Sequence, residues 1–217
     1  MAESSSRRIT NICVFCGSGS GENPIFVDVV KELGRVMPQR KIHLVNGGGS
    51  LGLMGVISKA VQNGGSQVLG IIPKTLAEAN LIGKTNGEEK IISSMSERLT
   101  EMINHVDAFI ALLGGLGTLE EILTVVSWAN LNIHQKPIGL LNVERFFDFL
   151  FIFFADIKRL GFLTKSPSDI FVCSQTADEL ITCLQAYEPK IDPILSKLDW
   201  SDDDRGKKRR LDLNLNL

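Results

Sequence analysis

The sequence predicts an α/β fold, a Rossmann-like, doubly wound parallel sheet with helices on both faces. Three observations predict it. Apolar runs of strand length alternate with segments of helical period, a pattern that right-handed crossovers turn into a parallel sheet. Two glycine-rich turns each follow a strand and open a helix, at the sheet edge where such folds bind ligands. Finally, 217 residues with 44% hydrophobic and 22% charged content suit one domain with a well-buried core.

In chain order, residues 9–16 (ITNICVFC) read as the first strand and 24–37 as a helix. The second strand is 41–45 (KIHLV), followed at once by NGGGSLGLMG and a helix to about residue 62. Residues 67–72 (QVLGII) form the third strand, closed by Pro73. The polar stretch 76–90 (LAEANLIGKTNGEEK) has no clear period and reads as loop. Helical spacing returns over 95–105. Residues 107–113 (DAFIALL) make the fourth strand, and GGLGTLEE opens the next helix. Residues 137–142 are the fifth strand, 170–173 a last short one, and 177–187 a closing helix. Between the last two strands lies a helix with six phenylalanines over 146–154, expected to be buried against the sheet or a partner subunit. After about Pro189 the pattern fades. Residues 1–188 therefore read as the domain and 189–217 as a flexible charged tail.

Composition excludes several classes. A formal net charge of −2 gives no overall footprint for nucleic acid. The greasiest run, FLFIFFA, falls far short of the roughly 20 residues of a membrane span. The opening residues MAESSSRRIT lack the apolar core of a secretory leader, so a cytoplasmic protein is expected, with the nucleus as a second location. Cys13 and Cys16 form C-x-x-C, but on a strand residues three apart face opposite ways, and no second Cys or His pair completes a zinc site. All four cysteines are expected to be reduced, mostly buried thiols of an intracellular protein.

The chemistry gathers at the glycine turns. Gly47, Gly48 and Gly49 begin a G-x-G-x-x-G turn between strand and helix, where bare backbone approaches an anion and helix N–H groups attract it. Gly114, Gly115, Leu116, Gly117, Thr118, Leu119, Glu120 and Glu121 repeat the design. Thr118 can cap the helix or donate to a phosphate, and either glutamate can simply complement the helix dipole. Two phosphate-type turns with an acidic residue beside one suggest a nucleotide whose sugar is recognised or attacked. G-x-x-x-x-G-K-[ST] is absent, and CGSGSG after the first strand lacks dinucleotide-fingerprint spacing. Asn46 stands where a nicotinamide enzyme needs an acid for the ribose hydroxyls, which ranks that reading last.

GGGSLGLMG, then SMSERLTEM, then GGLGTLEE about sixty residues after the first motif, resembles the Lonely Guy family over residues 9–187. CVFCGS, IIPKTL, DAFIAL and WANLNIHQKPIGLLNV extend the likeness, which is to plant members. These are cytokinin riboside 5′-monophosphate phosphoribohydrolases, sometimes mislabelled lysine decarboxylases. The resemblance implies cleavage of an N-glycosidic bond without metal or cofactor, a small-molecule nucleotide monophosphate of isopentenyladenine or zeatin type as partner, and a homodimer. It places the family's catalytic arginine on Arg98 and its catalytic glutamate on Glu121. Substrate contacts fall on Gly115, Gly117, Thr118, Glu120 and Ser127.

The chain departs from the motif at Leu113 (proline in the family), Leu116 (tyrosine), Ser96 (histidine), Leu99 (lysine), Asn80 (glutamate) and Asn46 (tyrosine). Leu99 is expected to remove a charge from the phosphate end, and Asn80 a carboxylate from the substrate side. These departures define the alternative, a catalytically weak nucleotide-binding homologue that acts through dimerisation or its tail. In that tail Lys207–Arg210 is a basic run and LDLNLNL an L-x-L-x-L pattern, both also explained as a solvated charge run and chance alternation.

Overall fold

The computed structural model describes residues 7–79, 82–191, 193, 195–198 and 200. Asn80 and the tail motifs of 207–217 lie outside the described residues. Seven parallel strands, β1 (Asn11–Phe15), β2 (His43–Asn46), β3 (Val68–Pro73), β4 (Glu88–Ile92), β5 (Ala108–Ala111), β6 (Ile138–Leu141) and β7 (Val172–Ser174), form one sheet in the order β4-β3-β2-β1-β5-β6-β7. The chain therefore builds outward from β1 on one side and restarts beside it with β5. The strand order reverses between β1 and β5, where such sheets open a crevice at their carboxyl ends.

Alternation along the strands divides the core in two. Ile12, Val14 and Cys16 point to one face, covered by α1 (Ile25–Gln39), α2 (Gly52–Asn63) and, after a five-residue α3 (Lys74–Glu78), the last helix α8 (Ala177–Gln185). Cys13 and Phe15 point to the other, beneath α4 (Met95–His105), α5 (Leu116–Asn130) and α6 (Asp148–Arg159). A short α7 (Pro167–Ile170) precedes β7. The two neighbouring thiols thus sit on opposite sides of the sheet. Cys173 is exposed, against the expectation of mostly buried cysteines.

Two expectations need correction. The stretch read as loop contains β4, which pairs in parallel with β3 from Leu69↔Glu88 to Pro73↔Ile92. It is an edge strand that buries only Ile92, so charged residues occupy positions where a central strand would alternate. The phenylalanine-rich helix is also less buried than expected. Phe147 and Phe154 enter the core, with Phe154 edge-on to Phe171, while Phe149, Ile152 and Phe153 face outward.

Candidate active site

Arg98 and Glu121 come from helices that follow different strands and meet over the end of the sheet. Ser94 caps α4, its Oγ accepting the Glu97 N–H at 3.2 Å, which fixes the helix start and places Arg98 on the first turn. The arginine side chain crosses Gly47, donates from Nε to the Ile71 carbonyl at 3.4 Å, and reaches Glu121 with Nη2 3.2 Å from Oε1. Both side chains are sequestered, 14% and 12% exposed.

Burial outweighs the ion pair for the glutamate. Loss of water pushes Glu121 up to about 7, Arg98 pulls it back down, and the neighbouring Glu120 pushes it up again. The carboxyl is therefore poised near neutrality, where a small change in its surroundings switches its charge. Cys13 lies beneath the pair, and burial holds its thiol well above the ordinary range, which leaves it unsuited to be a nucleophile.

The turns that frame this pair pack backbone on backbone. Gly17 N–H donates to the Leu113 carbonyl at 2.9 Å, joining the ends of β1 and β5. A β-carbon on Gly114 would lie 2.9 Å from Gly17 N and 2.1 Å from Thr118 Oγ1. Leu53 N–H donates to the Gly17 carbonyl at 3.1 Å, and Gly52, at φ +53°, sits against the Ser18 carbonyl. Gly48, at φ +80°, leaves no room beside Ile72, and its N–H donates to the buried Asn46 Oδ1 at 2.9 Å. Asn46 in turn donates to Ser58 Oγ at 2.7 Å, and Ser58 to the Met54 carbonyl at 2.7 Å.

This accounting redistributes the expected roles. Gly48 and Gly49 are buried, and the Gly48 N–H is already engaged by Asn46, so Gly48 does not offer the anion cradle expected of it. Gly47 keeps its place at the site because the Arg98 guanidinium lies where its β-carbon would be. The second turn differs: Gly115 and Gly117 are exposed with open space around them, and no side chain among the described residues caps α5. Uncapped N–H groups at a helix start attract anions. Thr118 is buried against Gly114, Leu119 is half-buried, and Leu116 and Glu120 are exposed. Ser127 is exposed further along α5.

Leu99 requires a correction. It is 8% exposed and packs with Met102 and Ile103 in the core beneath α4, so it does not face a phosphate. Arg98 and Leu99, adjacent on a helix, point about 100° apart. What sequence reasoning missed is the turn after β1. Residues 17–21 join Gly114 and Gly115 in lining a cavity of about 320 Å³, with Phe26 and Phe146 at its walls. The signal was CGSGSG, set aside because its spacing fits no dinucleotide fingerprint.

Residues 54–184 match a family described as possible lysine decarboxylase. Among solved structures the chain is similar to the Moco carrier protein of Chlamydomonas reinhardtii (TM-score 0.61, 18% identity, 82% of this chain and 96% of that one). A structural-genomics target, TM1055, is similar at TM-score 0.62, 21% identity and coverage of 82% and 99%. At those identities the likeness shows the Rossmann-like fold alone. Sequence relatives are much nearer. A cytokinin riboside 5′-monophosphate phosphoribohydrolase of Arabidopsis thaliana is 47% identical over 94% of each chain. A probable enzyme of the same name from Oryza sativa subsp. japonica is 48% identical over 89% of this chain and 79% of its own. With a family match over more than half its length and relatives of this identity along nearly all of it, the chain belongs to the Lonely Guy family, that of the cytokinin riboside 5′-monophosphate phosphoribohydrolases.

Proposed function

We infer that this chain hydrolyses the N-glycosidic bond of cytokinin riboside 5′-monophosphates, releasing the free base and ribose 5-phosphate. The observation that carries the reading is the buried Arg98–Glu121 pair beside an uncapped α5 N-terminus. The substrate's phosphate is an anion, and the free N–H groups of residues 116–118 are suited to hold it. Arg98 adds a permanent charge and a fork of donors at the other end of the same site.

Cleavage moves the C1′–N electron pair onto the base, which takes up a proton, while water adds its oxygen to C1′. The sugar passes through an oxocarbenium-like state, and the Glu121 carboxylate stabilises that positive charge and positions the water. Held at 3.2 Å by Arg98, it keeps its place as the charge develops. Family membership at 46–48% identity supports the same activity. Isopentenyladenine- and zeatin-type nucleotides are the substrates it suggests. Dimerisation through the outward apolar face of α6, with Phe149, Ile152 and Phe153, belongs to this reading.

The test is incubation of the purified protein with isopentenyladenosine monophosphate, AMP and the riboside lacking phosphate, scored for free base. Release from the monophosphate and none from the riboside is expected. Binding of the monophosphate with no more release than from Glu121→Gln would replace the hydrolase with a nucleotide-binding protein.

A further inference from the structure

Phe146 reaches the cavity at the β1/β5 crevice by an unusual route. The chain leaves β6, and Glu144 and Arg145 both adopt left-handed backbone, at φ +49° and +61°. Two consecutive non-glycine residues in that region are costly and persist only where surrounding contacts enforce them. Those contacts are present. Asn142 Oδ1 accepts the Phe147 N–H at 2.8 Å, its Nδ2 donates to Asp148 Oδ1 at 2.8 Å, and Arg145 Nε donates to Asp148 Oδ2 at 2.6 Å. Phe147 is anchored in the core. Phe146 stands edge-on to it, ring centroids 5.0 Å apart at 90°, and remains 42% exposed at the cavity wall. A half-open phenylalanine held this firmly gains nothing for the core.

The cavity it walls is chemically distinct from the ion pair. Phe26, Leu53, Leu113 and Phe146 form the sides over a glycine floor, and Ser18 and Ser20 are its polar side chains. Among the described residues no charged side chain lines it. Its volume of about 320 Å³ is at the lower end of what small-molecule sites occupy. A space walled largely by apolar and aromatic side chains suits a planar base with an alkyl substituent. It adjoins Gly114 and Gly115, so a nucleotide with its phosphate on the α5 N-terminus has this cavity within reach.

Resting on the hydrolase reading above, we propose that Phe146 is a specificity-determining residue, its ring forming the wall against which the N6-alkylated purine of the substrate packs. The backbone strain at Glu144 and Arg145 serves to place that ring. The full chain and its Phe146→Ala and Phe146→Tyr variants are assayed with AMP and with N6-isopentenyl AMP. For Phe146→Ala the KM for the alkylated nucleotide rises about tenfold, the change that about 1.4 kcal/mol of lost stacking produces, with kcat within about twofold. AMP loses less, so selectivity between the two collapses. Phe146→Tyr keeps the ring and the wild-type selectivity, which excludes a folding defect as the cause. Equal losses on both nucleotides, or a fall in kcat alone, would overturn the proposal. If the wild type releases base from neither, the hydrolase reading fails and the wall is judged by calorimetric titration of the same nucleotides. A Kd for the alkylated one that is about tenfold weaker in Phe146→Ala upholds it, and equal constants or no binding overturn it.

Discussion

Glu121→Gln tests whether the buried carboxylate is both the charge that works on the sugar and a charge the fold holds at a cost. The side chain is 12% exposed, and its folded value of about 7 stands above the ordinary 4.5. That gap corresponds to about 3 kcal/mol. The sign follows from proton binding: between the two values the folded state holds more protons than the unfolded one, so stability falls as pH rises. The contribution is fully present below about pH 4.5 and lost once pH has passed through 7. Urea unfolding at pH 5 and pH 8 should therefore show a drop in the wild type that exceeds that of Glu121→Gln by about 2.5 kcal/mol. Catalysis should run the other way. If the carboxylate stabilises the oxocarbenium, kcat/KM for the monophosphate climbs with pH through about 7, and Glu121→Gln lowers it by about 10²–10³-fold while nearly preserving nucleotide affinity. Parallel stability profiles in the two proteins, or an unchanged rising limb in the variant, would show that Glu121 is neither the titrating group nor the working carboxylate.

Three further substitutions separate positioning from packing. Gly47→Ala puts a β-carbon 2.1 Å from Arg98 Nη2, and a flexible arginine end moves aside at little cost to the fold; kcat/KM should fall about tenfold or more with a thermal midpoint within a few degrees of wild type. Leu99→Ala removes a core side chain and should cost about 2–4 kcal/mol in denaturant unfolding, while KM for the monophosphate stays put. Asn46→Ala strips partners from the Gly48 N–H and Ser58 Oγ and should cost about 2–4 kcal/mol; a double-mutant cycle with Ser58→Ala should be clearly non-additive.

Much of the fold was legible because its central strands are apolar and each is followed by punctuation that a sheet edge requires. β1, β2, β3 and β5 advertise themselves through runs such as ICVF and AFIA, and Pro73 ends β3 as read. β4 escaped because an edge strand answers to water, and Glu88, Glu89 and Lys90 look like loop until β3 is there to pair with. Arg98 and Glu121 were found through motif resemblance rather than periodicity: no local pattern says that residues 23 apart, on helices flanking β5, converge to 3.2 Å. The glycines were over-read for the converse reason. Sequence shows that backbone must come close to something, and here much of that something is other backbone, Ser18 against Gly52 and Gly17 against Gly114. The β1 turn was passed over because its spacing was judged alone, although its role depends on the turn after β5 lying beside it.

That packing also decides what the motif departures mean. A proline would fix the backbone at 113, but Leu113 is buried and its carbonyl holds the Gly17 N–H, a bond that its side chain does not make. Leu116 projects into solvent from the first residue of α5, and its backbone N–H is one that any residue supplies. Leu99 is core. Asn46 is wholly buried and hydrogen-bonded through both its amide nitrogen and its amide oxygen, a bracket between the glycine turn and α2 rather than a lost contact. Leu113, Leu99 and Asn46 have structural tasks, Leu116 stands in solvent, and all four leave the Arg98–Glu121 pair intact. A weakened homologue therefore finds no support in Leu113, Leu116, Leu99 or Asn46, none of which displaces Arg98 from Glu121.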